Sequence, residues 1–160
     1  MNTPAIQDLY PDAFSHCHGC GRLAVDGMRI KTYWKNGEGV CTFFPRPDHV
    51  GIPGFAYGGL IASLIDCHST ATAAAAHHDS LGKTHGKEQY ERFVTGKLTI
   101  DFLKPTPIAG PIDLRSTVTV TGGRRITVTT ELSVRGLVCA RGEVTAVLIP
   151  DTMRRGGANG

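Results

Sequence analysis

An aspartate in the middle of an apolar run is the first residue here whose type and place could do chemistry. Asp66 lies within the stretch from Gly58 to Ala76, where Leu60, Ile61, Leu64, Ile65 and the Ala71–Ala76 run leave almost no polar face. An ionised carboxylate in such surroundings costs several kcal/mol unless it is partnered. No Lys or Arg stands three or four positions to either side; those places hold Ala62, Ser63, Ser69 and Thr70. Two readings fit. The carboxylate is hydrogen-bonded to hydroxyl neighbours or faces a subunit boundary, or it is a reactive group in a partly dry cleft, its pKa raised by desolvation.

Gly58-Gly59 adds a second element. Amides that open a helix have no intrahelical acceptor and sit at the positive end of its dipole. Without a Cβ, a substrate can approach them closely. Such a donor can polarise a carbonyl and stabilise an oxyanion, worth on the order of 3 kcal/mol in acyl transfer. A tight turn into a helix is the plain structural alternative. Gly58 and Asp66 are eight residues apart, about 12 Å along one helix. A reacting carbonyl must lie about 3 Å from its donors and within reach of the attacking group. One helix cannot serve both ends of one substrate, so the geometry predicts a site shared between protomers of a two-fold dimer.

Other reactive side chains are less suggestive. His16-Cys17-His18-Gly19-Cys20 has the look of half a zinc site, but no second Cys/His pair follows at finger or ribbon spacing. It reads as a tight turn, with no metal expected. His68, two positions from Asp66, points elsewhere on a helix, so no relay between them is expected. His77 and His78 fit the negative end of the helix dipole, and Cys67 reads as a small buried hydrophobe.

The elements that must position these groups can be traced in the sequence. Met28–Lys35 and Val40–Phe44 read as strands joined by a hairpin at Asn36-Gly37. A loop rich in Pro and Gly, from Pro45 to Gly54, leads to the long apolar helix. The polar stretch from Asp79 to Arg92 is long for a connection and suggests a flap. Then come four strands: Lys97–Leu103, with Leu98, Ile100 and Phe102 on one face; a strand with Ile112, Leu114, Val118 and Val120 inward; a strand carrying Ile126, Val128, Leu132 and Val134; and a last one carrying Val138, Ala140, Val144, Ala146 and Leu148. One antiparallel sheet wrapped around one helix satisfies this order, an α+β fold, and the absence of alternating helices argues against a doubly wound nucleotide fold. Residues 1–150 form a single expected domain. The first dozen residues and a tail over 151–160 are expected to be loose.

Composition narrows the function. The chain has 160 residues, 41% hydrophobic and 19% charged, with a net charge of +3. Its basic residues are scattered, which argues against nucleic acid. A charge at the centre of the longest apolar run argues against a membrane span. Five cysteines at irregular spacing without an export signal suggest reduced thiols in the cytoplasm.

The run Gly54-Phe55-Ala56-Tyr57-Gly58-Gly59-Leu60-Ile61-Ala62-Ser63-Leu64-Ile65-Asp66 resembles hotdog-fold thioesterases of the PaaI-like type, of the phenylacetate pathway, in which His-Gly-Gly opens the central helix and an Asp or Glu follows at this spacing. Cys17-His18-Gly19-Cys20-Gly21 is similar to the family's Cys-x-x-Cys-Gly lead-in, which is not usually a metal site, and Thr99–Pro105 to its strand after the helix; the resemblance covers roughly residues 16–149. It implies a homodimeric or dimer-of-dimers acyl-CoA thioesterase without cofactor. Asp66 would be general base or nucleophile, and the Gly58 amide, flanked by Gly59, would polarise the thioester carbonyl. Thr95 would hold the water, and Thr70 would be a second hydroxyl near the carboxylate. Arg124 and Arg125 are candidates for the nucleotide end of coenzyme A. The sequence departs from the family at Tyr57, where His is usual, and at Val50 and Gly51, where Gln or Asn often faces the substrate. The alternatives on the same fold are an acyl-thioester hydratase or dehydratase, for which Asp66 and His68 have the wrong spacing, and a non-catalytic acyl-CoA binder.

Overall fold

The Asn36-Gly37 turn joins strands β1 (Tyr33–Lys35) and β2 (Glu38–Phe43), paired antiparallel. Its two residues take φ of 52° and 80°, the left-handed pair that a two-residue hairpin requires. The computed structural model describes residues 3–156. β1 is shorter than the strand expected from Met28. Over 28–32 the backbone instead bonds the cysteine-bearing loop, Met28 N–H to His18 O at 2.9 Å and Ile30 N–H to Gly19 O at 3.0 Å. Arg29 between them is left-handed at φ 58°, which interrupts a regular ladder.

Helix α1 runs Gly58–Ser80. It is followed by β3 (Phe93–Phe102), β4 (Ile112–Gly122), β5 (Arg125–Val134), β6 (Leu137–Leu148) and a short helix α2 (Asp151–Gly156). The strands form one antiparallel sheet in the order β1-β2-β4-β5-β6-β3. The architecture is the expected one, a sheet wrapped around a single long helix. Leu60, Leu64, Ile65, Ala71 and Ala75 on α1 are fully buried with Leu114, Val128, Leu132 and Val144 from the sheet. Each large side chain so enclosed contributes about 1.5–3 kcal/mol. Close approach is needed at Gly142 of β6, where a Cβ would stand 2.4 Å from Ile65 Cγ2. The same interface holds polar groups, Ser69 Oγ meeting Thr130 Oγ1 at 2.7 Å and Thr130 meeting Ser116. Mutual bonding removes the cost of burying hydroxyls.

Three expectations are corrected. The N-terminal segment is anchored: Ile6 is buried, and Gln7 bonds Thr32 through both its amide nitrogen (3.0 Å) and its oxygen (2.8 Å). The tail is not loose from its start, because Asp151–Gly156 is helical and Arg154 pairs with Glu91 at 3.1 Å; residues 157–160 lie outside the described ones. Val120, placed inward by period two, is exposed because a bulge shifts the register between Val118 and Val120. Among the described residues no helix is long and apolar enough to cross a membrane.

The segment after α1 also differs from a flap. Tyr90 N–H bonds Leu9 O at 3.2 Å, and the His85 ring stacks on Trp34. His78 is buried against Tyr90, with ring centroids 4.3 Å apart, so packing and not only the helix dipole accounts for it. This segment closes the C-terminal end of α1, far from Gly58.

Candidate active site

Asp66 is half-buried on the second turn-pair of α1, and Thr95 on β3 donates its hydroxyl to Asp66 Oδ1. The strand explains how they meet. Thr95 is in register with Ala146, which lies fully buried beneath the helix, so Thr95 faces α1. Immediately after it the β3–β6 register shifts between Thr95 and Lys97, and an extra residue of this kind re-aims its neighbours. Gly96 fills the irregular position; a Cβ there would come 2.9 Å from Val147 Cγ2. Burial raises the Asp66 pKa above the ordinary carboxylate value. The Thr95 hydrogen bond opposes that rise, the nearby Cys17 sulfur adds to it, and the Arg92 guanidinium counters it. A carboxylate held in this way, made more basic by burial and fixed by a hydroxyl, is placed to accept a proton from a water.

The other end of the helix is built differently. Tyr57 precedes α1 in an extended conformation, φ −74° and ψ 151°, and its carbonyl accepts from Leu60 N–H (3.1 Å) and Ile61 N–H (3.4 Å). Among the described residues neither the Gly58 nor the Gly59 N–H finds a backbone acceptor. Both glycines are exposed, and the Tyr57 ring covers Gly59 so closely that a Cβ would meet it at 2.6 Å. A cavity of about 500 Å³ opens beside Gly58, walled by Ile52, Phe55, Tyr57, Ile61 and Phe102. It is mainly apolar and does not reach Asp66. Gly51 lies in its wall, while Val50 pairs with Ala56 in the loop that delivers the chain to the helix. His49, not singled out from the sequence, is buried in that loop between Phe43 and Tyr57. No spacing signal marks it, since its neighbours are loop residues.

The remaining candidates are dispersed. Thr70 is buried, and its hydroxyl donates to the backbone carbonyls of Asp66 (3.1 Å) and Cys67 (3.2 Å). It therefore satisfies its own helix instead of reaching the carboxylate. Arg124 donates to the Leu148 and Ile149 carbonyls at 3.2 and 3.1 Å. Arg125 is exposed and in register with Val147, on the sheet face opposite Ile126 and α1. His68 is fully buried, with Nδ1 2.9 Å from Thr32 Oγ1, and burial lowers its pKa to about 3. It is turned away from Asp66, as its spacing predicts.

Comparison with known proteins agrees with this architecture. Residues 53–146 match the model of the thioesterase superfamily. The acyl-coenzyme A thioesterase THEM4 of Xenopus laevis is 30% identical over 110 residues, 69% of this chain and 44% of that protein. The chain thus spans less than half the length of this curated relative. A thioesterase superfamily protein from Shewanella loihica PV-4 has a solved structure that is 40% identical, with 87% of this chain and 98% of that one covered and a TM-score of 0.66. The E. coli PaaI protein from the phenylacetic acid degradation operon shares the fold at 19% identity, with 77% and 81% coverage and a TM-score of 0.61.

Proposed function

The chain belongs to the thioesterase superfamily, and from that premise we propose that it hydrolyses an acyl-CoA at a site shared by two protomers. Asp66 takes a proton from a water held with Thr95. The water oxygen attacks the thioester carbonyl, and the resulting oxyanion is stabilised by the Gly58 amide of the partner. Collapse breaks the carbon–sulfur bond, releasing the acid and the coenzyme A thiol, which recovers the proton. The observation that carries this reading is the partition of the two functions along α1. The hydrogen-bonded carboxylate and the unpartnered amides lie about 12 Å apart on one helix, too far to act on one carbonyl.

The exposed surface supports pairing of protomers. Among the described residues β3, which carries Thr95, is an edge strand of the sheet, paired with β6. Leu98, Phe102 and Leu103 are exposed on or beside it, and Ile52 and Phe55 are exposed near the Gly58 cavity. An apolar surface flanking both half-sites fits a dimer, or a dimer of dimers. The apolar cavity suits the acyl chain, and Arg125, exposed on the outer face of the sheet, is the candidate to meet a phosphate of the coenzyme. The five cysteines are all free, which supports a reducing compartment such as the cytoplasm.

Burial of His68 against Thr32 argues against a hydratase that would pair it with Asp66; water addition to an enoyl-CoA without thiol release would favour that alternative. Tyr57, where the resembling enzymes carry His, favours the reading of a non-catalytic binder instead. A panel of acyl-CoAs with release of the thiol followed by a chromogenic reagent decides between them. Turnover that vanishes in Asp66→Asn supports hydrolysis; tight binding of acyl-CoA without thiol release on any chain supports the binder.

A further inference from the structure

The Cys-x-x-Cys turn is completed by a third thiol that its own segment does not contain. Cys17 and Cys20 lie on the loop before β1, and Cys67 comes from the middle of α1. Their three sulfurs lie within 4.8 Å of one another, Cys17 Sγ and Cys67 Sγ at 3.9 Å. All three thiols are free. Two sulfurs bound to one ion at ~2.3 Å stand ~3.8 Å apart at the tetrahedral angle, so the spacing suits a shared ion. A disulfide, at ~2.05 Å, would join two sulfurs and strand the third.

The loop is shaped as a cradle. Gly21 N–H closes the turn on Cys17 O at 2.7 Å, and the amides of Gly19 and Cys20 point at the Cys17 sulfur. Amides aimed at sulfur stabilise a thiolate. A side chain is excluded where the loop meets the helix, since a Cβ on Gly19 would stand 2.5 Å from Cys67 Sγ, and within the loop itself one on Gly21 would stand 2.4 Å from Ser15 O. Arg92 lies close enough to feel the charge of all three sulfurs, and its Nη1 is buried without a hydrogen-bond partner among the described residues. Three thiolates around a divalent cation leave one net negative charge, and this guanidinium supplies the opposite one. Cys17 is only partly buried, which gives an ion a path in, while Cys20 and Cys67 are enclosed.

We infer that Cys17, Cys20 and Cys67 form a binding site for a thiophilic metal ion of the zinc class, pinning the N-terminal loop to α1 beside Asp66. Thiolates select such ions over hard cations, and the fourth position is left for water. The inference concerns ion binding alone and stands apart from the proposed hydrolysis.

Cobalt reports the site without reference to activity. The full chain is reduced with a phosphine, freed of metal with a chelator and titrated with Co2+. The expected result is a sulfur-to-cobalt charge-transfer band that saturates at one equivalent per chain and is displaced by Zn2+. The band is expected to be lost in Cys17→Ser and in Cys67→Ala, and kept in Cys41→Ser and Cys139→Ser, whose sulfurs lie elsewhere. Native mass spectrometry of the unsubstituted protein with Zn2+ provides a readout that does not depend on variants folding. No thiolate band and no bound ion at stoichiometric metal would overturn the inference. So would a band that persists in a folded Cys67→Ala protein.

Discussion

The two ends of the apolar half of α1 are built on opposite plans. At Asp66 the helix offers a charged group, half-buried, raised in pKa and held by a hydroxyl from an irregular edge strand. At Gly58 it offers backbone alone, two unpartnered amides beside an apolar cavity. Either end by itself is an incomplete device. A carboxylate without an oxyanion donor activates water with nothing polarised to attack; amides beside a cavity hold a carbonyl with no base. Under the proposed mechanism the chain carries two half-sites on one helix, and a second copy is the economical way to join them.

Changes at the two ends should therefore fail differently. The largest effect is expected for Asp66→Asn, which keeps the shape and the Thr95 contact but removes the base; kcat should fall about 100- to 10,000-fold with KM little changed. At the other end Gly58→Pro deletes one N–H where a helix tolerates proline. Gly58 is the first helical residue and Tyr57 already has the extended conformation a following proline imposes. We expect about a 100- to 1,000-fold loss of kcat with the melting temperature nearly unchanged; a Gly58→Pro enzyme of normal kcat would remove that amide from the mechanism. Thr95→Ala breaks the contact to Asp66 Oδ1 and should lower kcat by about tenfold, a hydrogen bond to a charged group being involved, while Thr95→Ser should retain most of the rate. Arg125→Ala is expected to raise KM for acyl-CoA about two- to fivefold without touching kcat, the measure of an exposed cation; no change in KM would place the coenzyme elsewhere.

How much of this could be read from the residues depends on how local each signal is. β4, β5 and β6 follow from an alternation that holds except at the bulges, and α1 from an apolar run opened by two glycines, so the sheet-around-helix architecture was legible. Asp66 was legible for the same reason, a charge where the pattern allows none. Thr95 was visible only through family resemblance, because its position depends on a bulge at Gly96 that no period announces. The Gln7–Thr32 bonds that anchor the N-terminus, and the packing of His78, His85 and Tyr90 beyond α1, join segments without periodicity. Cys67 reads as an ordinary buried side chain until the fold brings Cys17 and Cys20 to it. Each of these rests on contacts between distant stretches, and such contacts leave no local trace.

The shared site can be tested by complementation. Asp66→Asn and Gly58→Pro chains, each nearly inactive alone, are co-expressed with different tags and the mixed dimers assayed with an acyl-CoA. If one protomer supplies the carboxylate and the other the amide, each mixed dimer contains one intact site. A random mixture should then recover about a quarter of the wild-type activity. Activity no greater than the sum of the two variants would contradict the account, since it would mean that both groups act from the same chain or that one of them does not act at all.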